Sequence, residues 1–197
     1  MKRKVVAVTG GIGSGKSAVI GILRNMGYDT LDCDGLAREV SVRADVVESV
    51  GNLLGGEFVT NGRLNRSAIR SKVFADSEIL QRYNGIFFDE TRKLLSERIN
   101  ELNRRGGADN SPIFVEISVF DAFTFDWDAV WLVECGLSER KRRVIARDGV
   151  SAQNVDDVIA RQKICSEYTL TIVNDGSLEL LETGVENALE QTLHHQF

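Results

Sequence analysis

The stretch Gly10-Gly11-Ile12-Gly13-Ser14-Gly15-Lys16-Ser17 has the spacing G-x-x-x-x-G-K-[ST]. Glycines here let backbone N–H groups turn inward around phosphate oxygens with no Cβ in the way. A helix opening directly after the loop presents its positive end to the same anion. In this pattern the lysine, Lys16, reaches the β- and γ-phosphates, and the Ser17 hydroxyl ligates Mg²⁺. The residues alone also fit a glycine-rich turn carrying a solvated lysine. The flanks decide against that: Lys4 to Val8 reads as a short β-branched strand, and Ala18 to Gly27 as a helix stopped by glycine. Strand, loop and helix in that order are the context a phosphate loop requires. The reading places a nucleotide and its Mg²⁺ at Gly11, Ile12, Gly13, Ser14, Gly15, Lys16, Ser17 and Ala18. No N-K-x-D stretch follows, which favours ATP over GTP.

Outward from the loop, further short strands are expected at Tyr28–Leu31, Ile113–Ile117, Ala129–Val133 and Leu170–Val173. Helices are expected at Ser138–Arg147 (with Ser138 as N-cap), about Ala152–Lys163, and Leu178 to about Leu193. Strands alternating with helices predict an α/β fold, a parallel five-stranded sheet flanked by helices. From Leu36 to about Arg105 the pattern is mostly helical, interrupted by an Asn61-Gly62 turn. That is too long for one crossover, so it reads as an inserted helical substrate sub-domain, about 35–107. The core is then about 1–34 and 108–197, with a lid at about 140–163. Ligands of such sheets bind at the carboxyl ends of the strands: Thr9-Gly10, Asp32 to Asp34, Glu116 to Ser118, Glu134 and Asn174.

Composition narrows the chemistry. The chain has 197 residues, 43% hydrophobic and 27% charged, and a net charge of −5. It is long enough for a proper core and a poor general binder of nucleic acid or membrane. Three cysteines without a C-x-x-C imply neither a disulfide framework nor a zinc site, and suit a cytosolic protein. Its two histidines, His194 and His195, stand at the chain end, so acid–base work falls to carboxylates. No apolar run approaches a membrane span.

Asp32 and Asp34 close the second strand beside the loop. If the segment is extended, alternation puts both on one side, where they could orient an acceptor hydroxyl or take its proton. Equally, they could be capping residues before the next helix. Arg38, one turn after Asp34, could face the same cleft or form a surface salt bridge with Glu39 or Asp34. The run Arg140, Lys141, Arg142, Arg143 and Arg147 could clamp transferring phosphate, with Arg143 and Arg147 on one face. Arg140, Lys141 and Arg142 also fit a solvated face paired with Glu139. Arg63, Arg66 and Arg70 could meet an anionic substrate at helical spacing, or line a solvated face. Glu116 could support Mg²⁺. Trp127 and Trp131 read as packing, and Cys33, Cys135 and Cys165 as unreactive thiols.

VAVTGGIGSGKS, LDCDGLAR, GRLNRSAIRSKVF, RRVIARDGVS with RQ, and TIVNDGSLELL occur in that order. The chain thereby resembles the dephospho-CoA kinases, over nearly its whole length. The resemblance implies a P-loop NTPase fold with a CoA sub-domain and lid. It implies transfer of the γ-phosphoryl of ATP to the ribose 3′-hydroxyl of dephospho-CoA, the last step of coenzyme A synthesis. The family's general base falls on Asp34, its loop lysine and Mg²⁺-side hydroxyl on Lys16 and Ser17, and its arginine after the aspartates on Arg38. Its lid arginines match Arg143 and Arg147, the glutamine after the lid matches Gln162, and the asparagine near the adenine matches Asn174. Asp32, Asp34, Arg38 and Arg66 form the expected substrate side; the cofactors are ATP and Mg²⁺, and the place is the cytoplasm. Two stretches depart from the pattern. A His-Pro is replaced by Ile86-Phe87-Phe88-Asp89, and P-L-L-x-E by Ser118-Val119-Phe120-Asp121-Ala122, where Asp121 could stand in for the glutamate. These departures leave open another small alcohol or nucleotide as acceptor, or an ATP-binding member with little catalysis.

Overall fold

The computed structural model describes residues 2–106, 111–120 and 123–194. Asp121, Ala122 and His195 lie outside them. In chain order the elements are β1 (Val5–Gly10), α1 (Lys16–Asn25), β2 (Asp29–Asp32), α2 (Cys33–Val40) and α3 (Ala44–Leu54). A 3₁₀ turn (Gly56–Phe58) leads to β3 (Val59–Thr60), β4 (Arg63–Leu64), α4 (Arg66–Phe74) and α5 (Ser77–Arg105). Then follow β5 (Ile113–Glu116), β6 (Ala129–Glu134), α6 (Leu137–Asp148), α7 (Ala152–Arg161), β7 (Leu170–Val173) and α8 (Leu178–His194).

Five strands form one sheet in the order β2-β5-β1-β6-β7, parallel throughout. β1 is central and buried at every residue, as a strand covered on both faces must be. Alternate residues Val6, Val8, Ala129, Trp131 and Val133 pack with Val19, Leu23, Val185 and Leu189 of α1 and α8 in one core. Parallel pairing brings all the carboxyl ends to one edge, so Gly10, Asp32, Glu116 and Glu134 share it.

The chain divides into two compact units, Met1–Asp32 with Glu101–Phe197, and Cys33–Asn100. The second has its own core of Val50, Leu54, Ile69 and Val73, with Tyr83, Ile86 and Phe87 packed on it. Ile86 and Phe87, in the stretch that departs from His-Pro, therefore serve packing inside α5, a helix of 29 residues that a proline would interrupt.

Several local expectations need correction. β2 stops at Asp32, and Asp34 sits in the first turn of α2, so the two aspartates do not alternate along one strand. Cys33, Leu36 and Val40 are buried at spacings of three and four, a helical stripe that starts the helix early. The Asn61-Gly62 turn is a true hairpin. Asn61 (φ 51°) and Gly62 (φ 71°) are both left-handed, the geometry that joins two-residue hairpins, and β3 and β4 pair across it. Arg63 accordingly lies on a strand, and only Arg66 and Arg70 share a helix. α6 begins at Leu137, because the Gly136 carbonyl already accepts from the Arg140 N–H; Gly136, not Ser138, is its cap. α7 ends at Arg161, leaving Gln162 extended.

Candidate functional site

The loop between β1 and α1 turns on Gly13 (φ 75°) and Gly15 (φ 100°), values that side chains rarely adopt. The Lys16 stem is buried, and its ammonium donates to the Gly10 and Gly11 carbonyls at 2.9 and 3.3 Å. The cation is thus folded back over the loop that it serves. Ser17 and Ala18 are exposed at the head of α1. Ser17 Oγ donates to Glu116 Oε1 at 2.7 Å.

The loop is braced from outside. Asn174, at the end of β7 and 6% exposed, donates from Nδ2 to the Ser14 carbonyl at 2.8 Å. A Cβ on Gly15 would come within 2.0 Å of that same Nδ2. Arg140 is 8% exposed and donates from Nε to the Ile12 carbonyl at 2.9 Å. The Ile12 N–H donates to Gln162 Oε1 at 2.7 Å. A cavity of about 430 Å³ adjoins the loop, walled by Gly11, Ser14, Glu134, Cys135, Arg140 and Asp175. Burial pushes the Cys135 thiol up from its ordinary pKa, with Asp175 adding to the effect, so it is a poor nucleophile.

The α6 cations separate on inspection. Arg142 donates to both Glu139 oxygens at 2.7 Å. Arg143 donates from Nε to Glu139 Oε1 at 2.8 Å and from Nη2 to the Asn174 carbonyl at 3.1 Å. The Arg142 and Arg143 hydrogen bonds hold the Glu139 carboxyl down at about 2. Lys141 pairs with Asp156. Arg147 is bidentate on Asp148, at 2.7 and 2.8 Å, at the end of the helix. Arg143 therefore comes to the loop, its Nη1 3.6 Å from where a Gly15 Cβ would stand, while Arg147 is engaged elsewhere. Of the three residues read as a solvated face paired with Glu139, only Arg142 pairs with it. The signal for Arg140 was present: it lies four residues before buried Val144, on the inner stripe of α6.

The oxygen donors suit a hard divalent cation. Glu116 is in register with Asp32 on β2, and with Ser17 these are two carboxylates and a hydroxyl at one sheet edge. No trio of His, Cys, Asp or Glu is grouped for a metal among the described residues, so such an ion would draw its other ligands from phosphate and water.

In the helical unit, Asp34 and Arg38 are exposed on α2. Arg66 Nη2 donates to Ser41 Oγ at 2.9 Å, and that hydroxyl donates to the Arg38 carbonyl at 2.7 Å. A cavity of about 440 Å³ carries Arg38, Arg66 and Arg70 together with Tyr83, Phe87 and Phe88. Burial raises the Tyr83 phenol pKa, and the Arg66 charge partly offsets this. Such a cavity joins an apolar wall to guanidinium donors, which fits a ligand carrying both an organic arm and phosphate.

Residues 4–179 match the family model described as dephospho-CoA kinase. The chain is similar to the dephospho-CoA kinase of Thermus thermophilus, 35% identical over 95% of this chain and 91% of that one. It is 33% identical to that of Geobacter sulfurreducens over 92% and 95%. Among solved structures, a Thermus thermophilus protein aligns with a TM-score of 0.81 at 33% identity, covering 97% of this chain and 98% of that one. A Campylobacter jejuni dephospho-CoA kinase shares the fold, with a TM-score of 0.66 at 17% identity over 95% and 96%.

Proposed function

The chain belongs to the dephospho-CoA kinase family, and from that premise we propose how its residues divide the reaction. The enzyme phosphorylates dephospho-CoA with ATP in coenzyme A biosynthesis. The observation that carries the reading is the phosphate loop with Lys16 folded over it, at the head of the 4–179 match.

ATP binds with its phosphates in the loop from Gly11 to Ala18, through backbone N–H groups other than that of Ile12, which Gln162 holds. Lys16 exchanges its loop carbonyls for phosphate oxygens, and Arg143 leaves Glu139 to meet charge that develops on the γ-phosphoryl group. Arg147 leaves Asp148 for the same anion, and Asn174 keeps Ser14 in place beside the nucleotide. Ser17 would hold Mg²⁺ with Glu116 and Asp32 beside it, and a bound ion would supply charge neutralisation at the nucleotide phosphates. Arg38 and Arg66 bind the acceptor's phosphates. The Asp34 carboxylate accepts the proton of the ribose 3′-hydroxyl as that oxygen bonds to the γ-phosphorus; the bond to the ADP oxygen breaks, giving CoA and ADP. Catalysis is mostly positioning and electrostatics, as for phosphoryl transfer generally.

The partner is this small molecule, and we place the enzyme in the cytoplasm, without nucleic-acid or membrane partners. Three free thiols and a net charge of −5 support that placement. No helix among the described residues is long and apolar enough to cross a membrane.

The test is release of ADP with mass detection of CoA, supplied with ATP, Mg²⁺ and dephospho-CoA. Asp34→Asn is expected to lose at least about 10²-fold in turnover. Normal turnover in that variant would remove Asp34 as the base.

A further inference from the structure

Gly11 occupies a variable position of G-x-x-x-x-G-K-[ST], so the motif does not explain a glycine there. Its backbone does not either, since its φ is outside the left-handed region. A neighbour explains it. A Cβ on Gly11 would meet the Arg140 guanidinium, with Nη2 at 2.2, Cζ at 2.4 and Nη1 at 2.8 Å. The tip of a long side chain ordinarily moves aside. This one is 8% exposed and held by the Ile12 carbonyl at 2.9 Å, with Gln162 Oε1 3.5 Å from its Nη2. Gln162 in turn accepts the Ile12 N–H at 2.7 Å. Both polar groups of Ile12 are thus engaged from outside the loop, one by α6 and the other by the extended residue that follows α7.

We propose that Arg140 and Gln162 are positioning residues that brace the Gly11–Ile12 backbone and keep the phosphate loop in its nucleotide-receiving shape before nucleotide arrives. The inference rests on the reading of Gly10–Ser17 as the nucleotide site. Its chemistry is that of preorganisation: a loop shaped in advance loses less conformational freedom on binding, and the gain appears equally in ground and transition states. The brace therefore acts on nucleotide affinity and leaves the chemical step alone.

Calorimetric binding of ADP and steady-state kinetics with ATP and dephospho-CoA test this, with Tm measured for each variant. Arg140→Ala and Gln162→Ala are each expected to weaken ADP and raise the ATP KM about ten-fold, the worth of a buried charged or neutral hydrogen bond. In both, kcat stays within about two-fold and the dephospho-CoA KM is unchanged. Arg140→Lys recovers most of the ATP KM, because an ammonium can still donate to the Ile12 carbonyl. Gly11→Ala weakens ADP in the parent but costs little more on top of Arg140→Ala, since the steric conflict is gone. If Arg140→Ala does not fold, Gln162→Ala and Arg140→Lys carry the test. Unchanged ADP affinity in the folded variants overturns the brace. So does a loss of kcat in Arg140→Ala with Gln162→Ala silent, which would make Arg140 a direct phosphate contact. Because ADP binding is read apart from CoA formation, a parent that binds ADP but makes no CoA faults the acceptor reading and leaves the brace standing.

Discussion

Around the phosphate loop, Lys16, Arg140 and Asn174 are each less than one-tenth exposed, and each donates to a loop carbonyl. In the helical unit, Arg38, Arg66 and Arg70 are exposed, and the ion pairs Arg43–Asp45 and Arg98–Glu39 are surface pairs. Both regions offer positive charge, but they hold it differently. Phosphates to be transferred need donors at fixed places, which a backbone braced by buried side chains supplies. In the function proposed above, the acceptor is gripped and released by exposed arginines beside an apolar wall, which need little preorganisation. The nucleotide side should therefore respond to single substitutions with large, sharply localised effects, and the acceptor side with smaller ones.

Lys16→Ala should give the largest effect in this comparison, a loss of at least about 10²-fold in turnover, read by ADP release. Arg143→Ala comes next: its turnover should fall about ten- to a hundred-fold, more than its ATP affinity falls, because the role proposed for it is in the transition state. An equal loss in both would return Arg143 to the ground-state binding group. Arg66→Ala should raise the dephospho-CoA KM about ten-fold, within the range for a charged hydrogen bond, and leave the ATP KM unchanged. An ATP KM that moved with it would break the division between the two sides. The smallest effect belongs to Glu139. Its pKa is lowered from 4.5 to about 2 by Arg142 and Arg143, so its pairing stabilises the fold fully above its unfolded pKa and is lost as pH falls through the folded one. The Tm gap between parent and Glu139→Gln should stay constant above about pH 5 and close between 4.5 and 2. A gap that persisted below that range would mean the pair contributes nothing through charge.

The legible part of the molecule is the part governed by local rules. A strand, a glycine loop and a helix are contiguous in the chain, and their physics is that of neighbouring residues, so Gly10–Ser17 could be read directly as a phosphate loop. The alternation of β-branched runs with helical patterns likewise carried the parallel sheet, and the order of motifs carried the family. Element ends were less legible. Asp34 reads as extended from its neighbours and is helical because Cys33, Leu36 and Val40 together bury one face. Asn61-Gly62 announced a turn, but two-residue strands are too short to show a period.

Residue types and spacing alone pointed to the phosphate loop, the α/β class and the candidates Lys16 and Ser17, while the role read for Asp34 came from the family resemblance. Only the tertiary structure decided which of five similar cations faces the loop. Arg140, Lys141, Arg142, Arg143 and Arg147 are nearly equivalent as letters, yet they end on Ile12, Asp156, Glu139, Asn174 with Glu139, and Asp148. The reason is physical. A guanidinium's partner is set by helix phase and by what packs against that face, and these partners lie up to 128 residues away in the chain.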